Sequence, residues 1–108
     1  MNSSEDFTTP LDGLARLIQV MAQLRHPQTG CMWTQQQTHQ SLKPYMLEEA
    51  QEAIEAIDEN DPQHLQEELG DVLLQVVFHA QIAAENNTFT LNDIAHTLAD
   101  KLVRRHPH

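Results

Sequence analysis

The run from Pro62 to Glu85 constrains this chain more than any other stretch, because an ordinary surface helix does not carry its pattern. Leu65, Leu69, Val72, Leu73, Val76, Val77, Ala80, Ala83 and Ala84 recur at helical spacing and cover one broad side. Leu74, Phe78 and Ile82 make a second apolar patch. A surface helix has one apolar face and one polar face. A helix that is apolar on two sides is expected at the centre of a bundle, packed against a second chain as well. Between the patches runs a narrow polar stripe of His64, Glu68, Asp71, Gln75 and His79. Such a stripe is expected to be a site, because polar groups taken out of water need partners. Gly70 costs about 1 kcal/mol against alanine in a helix interior, which predicts the close approach of another backbone.

The remaining segments read as the rest of an all-α bundle of about four helices. Leu14, Leu17, Ile18, Met21 and Leu24 line one face of a helix over 11–24. His26-Pro27 ends it, since the residue before proline is pushed out of the α region. Residues 28–37 read as a polar loop holding Gly30, Cys31, Met32 and Trp33. Trp33 there is either a lid over the core, the commoner use of a large ring, or a surface on which a ligand stacks. A helix over 41–59 has Pro44 near its first turn, where the missing N–H costs little. Its apolar stripe is Met46, Leu47, Ala50, Ala53, Ile54 and Ile57. Asn60-Asp61-Pro62 is a restart, with Asp61 as N-cap. Asn86 to Phe89 form a turn, and Thr90 with Asp93 opens a last helix with Leu91, Ile94, Ala95, Leu98, Leu102 and Val103 inward. Residues 1–10 are expected to be a disordered tail and 11–108 one helical domain.

Charge narrows the function. The formal net charge is −10, which argues against a nucleic-acid backbone or an anionic membrane as partner. Ten of the sixteen acids lie from Glu48 to Asp71, and no Lys or Arg occurs between Pro44 and Asp100. Those carboxylates must be solvated, paired with distant residues, or bound to a cation. On the helix over 41–59, Glu48, Glu55 and Glu59 fall on the polar face and read as solvated. Glu49 and Glu52 lie toward the edge of the apolar stripe, where a carboxylate needs a partner. They are three residues apart, as are Glu68 and Asp71, and an i, i+3 pair projects from nearly one face. The two turns facing each other would make a cluster of four carboxylates. That set, with no cysteine or adjacent histidine, favours a hard cation, Mg²⁺ or Mn²⁺, over zinc. Di-iron bundles use Glu-x-x-His, which is absent here. A single cysteine, Cys31, excludes an internal disulfide framework and fits a reducing cytoplasm. No apolar run approaches the roughly 18 residues of a membrane span.

The motif Glu-Glu-x-x-Glu at 48–52, an interval of fifteen residues, then Glu-x-x-Asp at 68–71 resembles the MazG family of all-α nucleoside triphosphate pyrophosphohydrolases. The likeness extends in order through L-R-H-P-Q-T-G-C-M-W, Q-T-H-Q-S-L-K-P-Y-M-L-E-E-A, E-E-L-G-D-V-L-L-Q-V-V-F-H-A and D-K-L-V-R-R-H-P-H, about residues 14 to 108. Met32 stands where the family usually has proline, and Thr34-Gln35-Gln36 replaces a more charged run.

The resemblance implies Mg²⁺-dependent hydrolysis of an NTP or dNTP to the monophosphate and pyrophosphate, in a helical domain that dimerises or assembles further to complete its core and site. Carried over by position, Glu49, Glu52, Glu68 and Asp71 would be the metal ligands. Glu48 would assist or orient the water that one of the glutamates activates. Lys101, Arg104 and Arg105 would hold the triphosphate, although three cations at a helix end also answer its dipole. Lys43 and the segment Tyr45 to Leu47 lie where the family lines its nucleotide pocket, and Trp33, if it stacks a ligand, joins them as a substrate-binding candidate. The chain's end after His108 reads as a first module cut from a second copy. A second class of function follows from that: a catalytically weak dimerisation or regulatory half, its acidic site binding metal incidentally.

Overall fold

The helices begin and end where the chain satisfies its own free backbone groups. In the computed structural model, which describes residues 9–106, five helices follow one another: α1 (Asp12–Leu24), α2 (Met32–Gln36), α3 (Lys43–Glu59), α4 (Pro62–Glu85) and α5 (Leu91–Arg105). The tail expected over 1–10 falls largely outside the described residues. Asp61 caps α4, its Oδ1 accepting from the amides of Gln63 and His64. Thr90 and Asp93 form a reciprocal capping box at the start of α5. Helix α3 starts at Lys43 rather than at the expected 41. Ser41 is engaged in a turn instead, its hydroxyl accepting from the amide of Thr38 while Thr38 Oγ1 accepts from the amide of Ser41.

The segment expected to be a polar loop contains α2, a single helical turn and a half. It is seated by the tight turn before it, where Gly30 N–H donates to His26 O and Cys31 N–H to Leu24 O. A Cβ at Gly30 would collide with those same two carbonyl oxygens, so only glycine permits the approach.

Helix α4 is central: it packs against α1, α3 and α5. The core is Met21, Leu42, Val77, Phe78 and Ile82, with Leu14, Leu17, Leu74 and Leu91 packed around it. The stripe expected inward on α3 is largely not buried. Of that set only Ala53 is buried, together with Ala56, which lay outside it, whereas Met46, Leu47, Ala50, Ile54 and Ile57 are exposed. The small alanines let α3 and α4 approach closely, and the branched side chains face away from that seam. On α5 the expected inward set is covered only at its start: Leu91 and Ile94 are half-buried and Leu91 packs on the core, whereas Leu98, Leu102 and Val103 are exposed. Leu69 and Leu73 of α4 add to this apolar surface. Around Gly70 the chain leaves open space, and a Cβ added there would meet nothing within 4 Å, so the close approach expected at this position does not occur within one chain.

The α3–α4 connection sets the register of everything that follows. Asn60 takes the left-handed conformation as C-cap of α3, and Asp61 starts α4 at once. Glu52 lies eight residues before Asn60 and Glu68 eight after it; Glu49 and Asp71 lie eleven before and eleven after. In an antiparallel hairpin with so short a turn, each pair stands level across the seam.

Candidate metal centre

Glu49, Glu52, Ala53 and Ala56 share one face of α3, at the i, i+3, i+4, i+7 spacing of a helix stripe. The two buried alanines therefore carry the two glutamates with them into the seam. From α4, Glu68 and Asp71 meet them. One ligand atom from each of Glu49, Glu52, Glu68 and Asp71 lies within 4.8 Å of the others. Glu49, Glu52 and Glu68 are half-buried and Asp71 is exposed, so the group opens to solvent at one side.

The electrostatics of the group are those of carboxylates pressed together. Burial raises the Glu49 carboxyl above its ordinary value, and repulsion from Glu52, Asp71, Glu68 and Glu48 adds to it. The Glu52 carboxyl is raised for the same reason, burial first and then the charges of Glu68 and Glu48. Glu49 Oε2 and Glu68 Oε2 are buried without a hydrogen-bond partner. Two partnerless buried acceptors amid mutually repelling carboxylates are costly unless a cation, or a proton taken up by one of the carboxyls, relieves them. Oxygens around an octahedral Mg²⁺ lie about 3 Å apart when adjacent and about 4 Å when opposite, so this set could close on a hard divalent ion by adjustment of the side chains.

His64 flanks the group. Its Nδ1 lies 2.6 Å from Glu59 Oε2 and its Nε2 3.1 Å from Glu68 Oε1. A carboxylate only accepts, and a neutral imidazole offers one N–H, so both contacts together call for the doubly protonated ring. The hydrogen bond to Glu59 is the chief cause that raises the His64 pKa, against a smaller opposing effect of burial.

Further along the stripe, Gln75 is buried with its Oε1 unpartnered. His79 stacks on His39 at 5.0 Å with nearly parallel rings, their Nδ1 atoms 2.7 Å apart. Such a contact requires one ring to donate and the other to accept. Burial, then the neighbouring His39, lowers the His79 pKa. This pair pins the segment before α3 onto α4.

The aromatic residues singled out from the sequence also meet. Trp33 is half-exposed and makes edge-to-face contacts with Tyr45 at 5.8 Å and with the buried Phe78 at 6.2 Å. It therefore covers the core on one side and offers ring surface to solvent on the other. Glu48 and Lys43 are exposed. Lys101, Arg104 and Arg105 lie exposed on α5, which rests on α4. Among the described residues, no ion pair joins Lys43 or these three to an acid. Arg25, by contrast, has a largely buried side chain that binds Glu85 through two 2.9 Å contacts and donates to Thr34 O and Gln37 O.

Sequence reasoning singled out neither Arg25 nor His39, and it noted His64 only as part of the stripe. Arg25 and Glu85 are sixty residues apart and His39 and His79 forty, so no local pattern marks either pair. His64 to Glu68 is an ordinary i, i+4 spacing, and that signal was available.

Residues 37–108 match the family model for the MazG nucleotide pyrophosphohydrolase domain. A protein of Thermotoga maritima named nucleoside triphosphate pyrophosphohydrolase/pyrophosphatase MazG is 60% identical over 92 residues, which cover 85% of this chain and 36% of that protein. A nucleoside triphosphate pyrophosphohydrolase of Escherichia coli is 47% identical over 98 residues, 91% of this chain and 37% of its own length. One from Mycobacterium tuberculosis is 45% identical over 94 residues, 85% of this chain and 29% of its own. The chain thus spans about a third of the length of these curated relatives.

Proposed function

Because the chain belongs to the MazG nucleotide pyrophosphohydrolase domain family, we propose that it hydrolyses nucleoside triphosphates to the monophosphate and pyrophosphate with the help of Mg²⁺. The observation that carries this reading is the group of four carboxylate oxygens within 4.8 Å, two of its residues holding buried oxygens without partners. Bound there, Mg²⁺ would neutralise phosphate charge and ease deprotonation of water; Mn²⁺ suits the same oxygen ligands.

In this reading Glu49, Glu52, Glu68 and Asp71 hold the ion. A water attacks the α-phosphorus, the bond from that phosphorus to the bridging oxygen breaks, and pyrophosphate leaves. A carboxylate of Glu49 or Glu52 takes the water's proton, and Glu48, at the solvent side, helps orient it. Lys43, Lys101, Arg104 and Arg105 donate charge-assisted hydrogen bonds to the triphosphate. Trp33 and Tyr45 offer ring surface for the base. The exposed Leu47, Ile54, Ile57, Leu69 and Leu73 support burial against a second copy of the chain, since so much branched apolar surface on adjacent helices favours association. The absence of any helix long and apolar enough to cross a membrane among the described residues agrees with a substrate taken from solution, and the reducing cytoplasm suggested by lone Cys31 is the proposed location.

The test is to incubate the chain with mixed NTPs and dNTPs plus Mg²⁺ and to resolve pyrophosphate from orthophosphate. Pyrophosphate is expected, and in ¹⁸O-labelled water the label should enter the nucleoside monophosphate. Glu52→Gln should cut release by more than the roughly 10–100-fold that loss of a supporting residue costs a metal site. Equal rates for wild type and Glu52→Gln would remove the metal assignment. Mg²⁺-dependent stabilisation without pyrophosphate from any nucleotide would return the reading of a regulatory half.

A further inference from the structure

The carboxylates of the proposed centre are not equally constrained. Glu68 Oε1 is held by His64 Nε2 at 3.1 Å, a neutralising contact of a kind found for neither Glu49 nor Asp71 among the described residues. His64 is itself held from behind, with Nδ1 2.6 Å from Glu59 Oε2. Glu59 is the last residue of α3 and His64 stands in the first turn of α4. Its backbone amide is tied to the Asp61 cap. The chain Glu59–His64–Glu68 therefore bridges the two helices across their turn and ends on one oxygen of one carboxylate. The other oxygen, Glu68 Oε2, is buried and has no partner in the protein.

We propose that His64 is a positioning residue for Glu68, fixing Oε1 so that Oε2 is presented to a divalent cation shared with Glu49, Glu52 and Asp71. The inference rests on the metal reading above and deepens it by assigning a determinant of metal affinity outside the four carboxylates. The physical reason is entropic. A free glutamate side chain samples several rotamers, and a ligand held by an outer partner has less freedom to lose when the ion arrives. Outer partners of metal ligands typically contribute 10–100-fold in affinity.

Charge alone predicts the opposite sign, which makes the test sharp. A ring engaged by two carboxylates carries positive charge, so deleting it would by electrostatics tighten cation binding. Positioning predicts that deletion weakens it. The measurement is Mn²⁺ and Mg²⁺ binding by calorimetry on the whole folded chain without nucleotide, at one neutral pH, for wild type, His64→Ala, His64→Gln, His64→Asn and Glu52→Gln. His64→Ala should raise the dissociation constant about tenfold or more. His64→Gln places an amide N–H near the position of Nε2 and should recover part of the loss. His64→Asn can reach only the Nδ1 side, toward Glu59, and should not. Urea unfolding of each variant separates this from a role in stapling the turn. Equal lowering of stability in the three variants with unchanged metal affinity overturns the proposal, as does tighter binding by His64→Ala. If the wild type binds no better than Glu52→Gln, the carboxylate site itself fails and the role of His64 falls with it. If the wild type binds well and His64→Ala matches it, only the role of His64 falls.

Discussion

Replacing Arg25 by methionine should unseat α2. The Arg25 side chain is about nine-tenths buried. Its Nη1 donates to Thr34 O at 2.7 Å and to Gln37 O at 3.1 Å, while Nε and Nη2 each reach Glu85 at 2.9 Å. The guanidinium carbon lies 5.8 Å from the Phe78 ring centre. Methionine keeps an apolar stem of similar reach beside Phe78 and removes every donor. Hydrogen bonds from a charged donor contribute about 1.5–3 kcal/mol each when partly buried. The two carbonyl contacts therefore come to about 3 kcal/mol at the lower bound, and the more exposed Glu85 pair adds little. For a domain of this size a loss of that order lowers the melting temperature by about 12 °C or more. Trp33, the only tryptophan, sits in α2 against Phe78 and Tyr45, so its fluorescence reports the segment directly. In Arg25→Met the emission should shift to the red and become more open to iodide quenching under native conditions. Arg25→Lys should fall between, because an ammonium lacks the planar fork that serves two carbonyls and a carboxylate together. A stability loss below about 1 kcal/mol, with unshifted Trp33 emission, would refute the role of Arg25 in seating α2.

Two further outcomes follow from the same geometry. The hydrogen bond from Arg25, opposed by burial and aided by Gln81, holds the Glu85 carboxyl below its ordinary value. A depressed carboxyl contributes stability that is present above the unfolded value of about 4.3 and is lost as pH falls through the lower folded value. The stability difference between wild type and Glu85→Gln, followed by urea midpoints, should therefore be constant near neutrality and shrink as pH drops below that unfolded value. A difference that stays constant into acid would refute the pairing. On the proposed function, Trp33→Ala should raise KM for nucleoside triphosphates with little change in Mg²⁺ affinity; an unchanged KM would leave the ring only its part in covering Phe78.

Local chemistry made much of this architecture readable in advance. The Asp61-Pro62 and Thr90/Asp93 starts are formed as the capping residues require. The two-sided apolar pattern of 62–85 does place that helix at the centre. Glu49 and Glu52 were separable from Glu48 by helical position alone, and they are half-buried where Glu48 is exposed. What escaped was of two kinds. Helix α2 spans five residues, too short for a periodic signal, and it is stable because Arg25 and the Gly30 turn hold it. The burial of α3 was misassigned because hydrophobicity favours leucine and isoleucine as the inward side, whereas the seam with α4 is built on Ala53 and Ala56.

The sequence by itself determined the all-helical class, the element boundaries set by caps and prolines, and the two pairs of carboxylates, because each depends on residues within a turn or two of one another. Only the tertiary structure decided which face of α3 meets α4. It therefore decided that the four carboxylates converge, that two of their oxygens are buried without partners, and that His64 and Arg25 brace the surrounding elements. Those facts depend on distances between residues that are far apart along the chain, and on a hairpin at Asn60 that sets the two acidic turns level with each other.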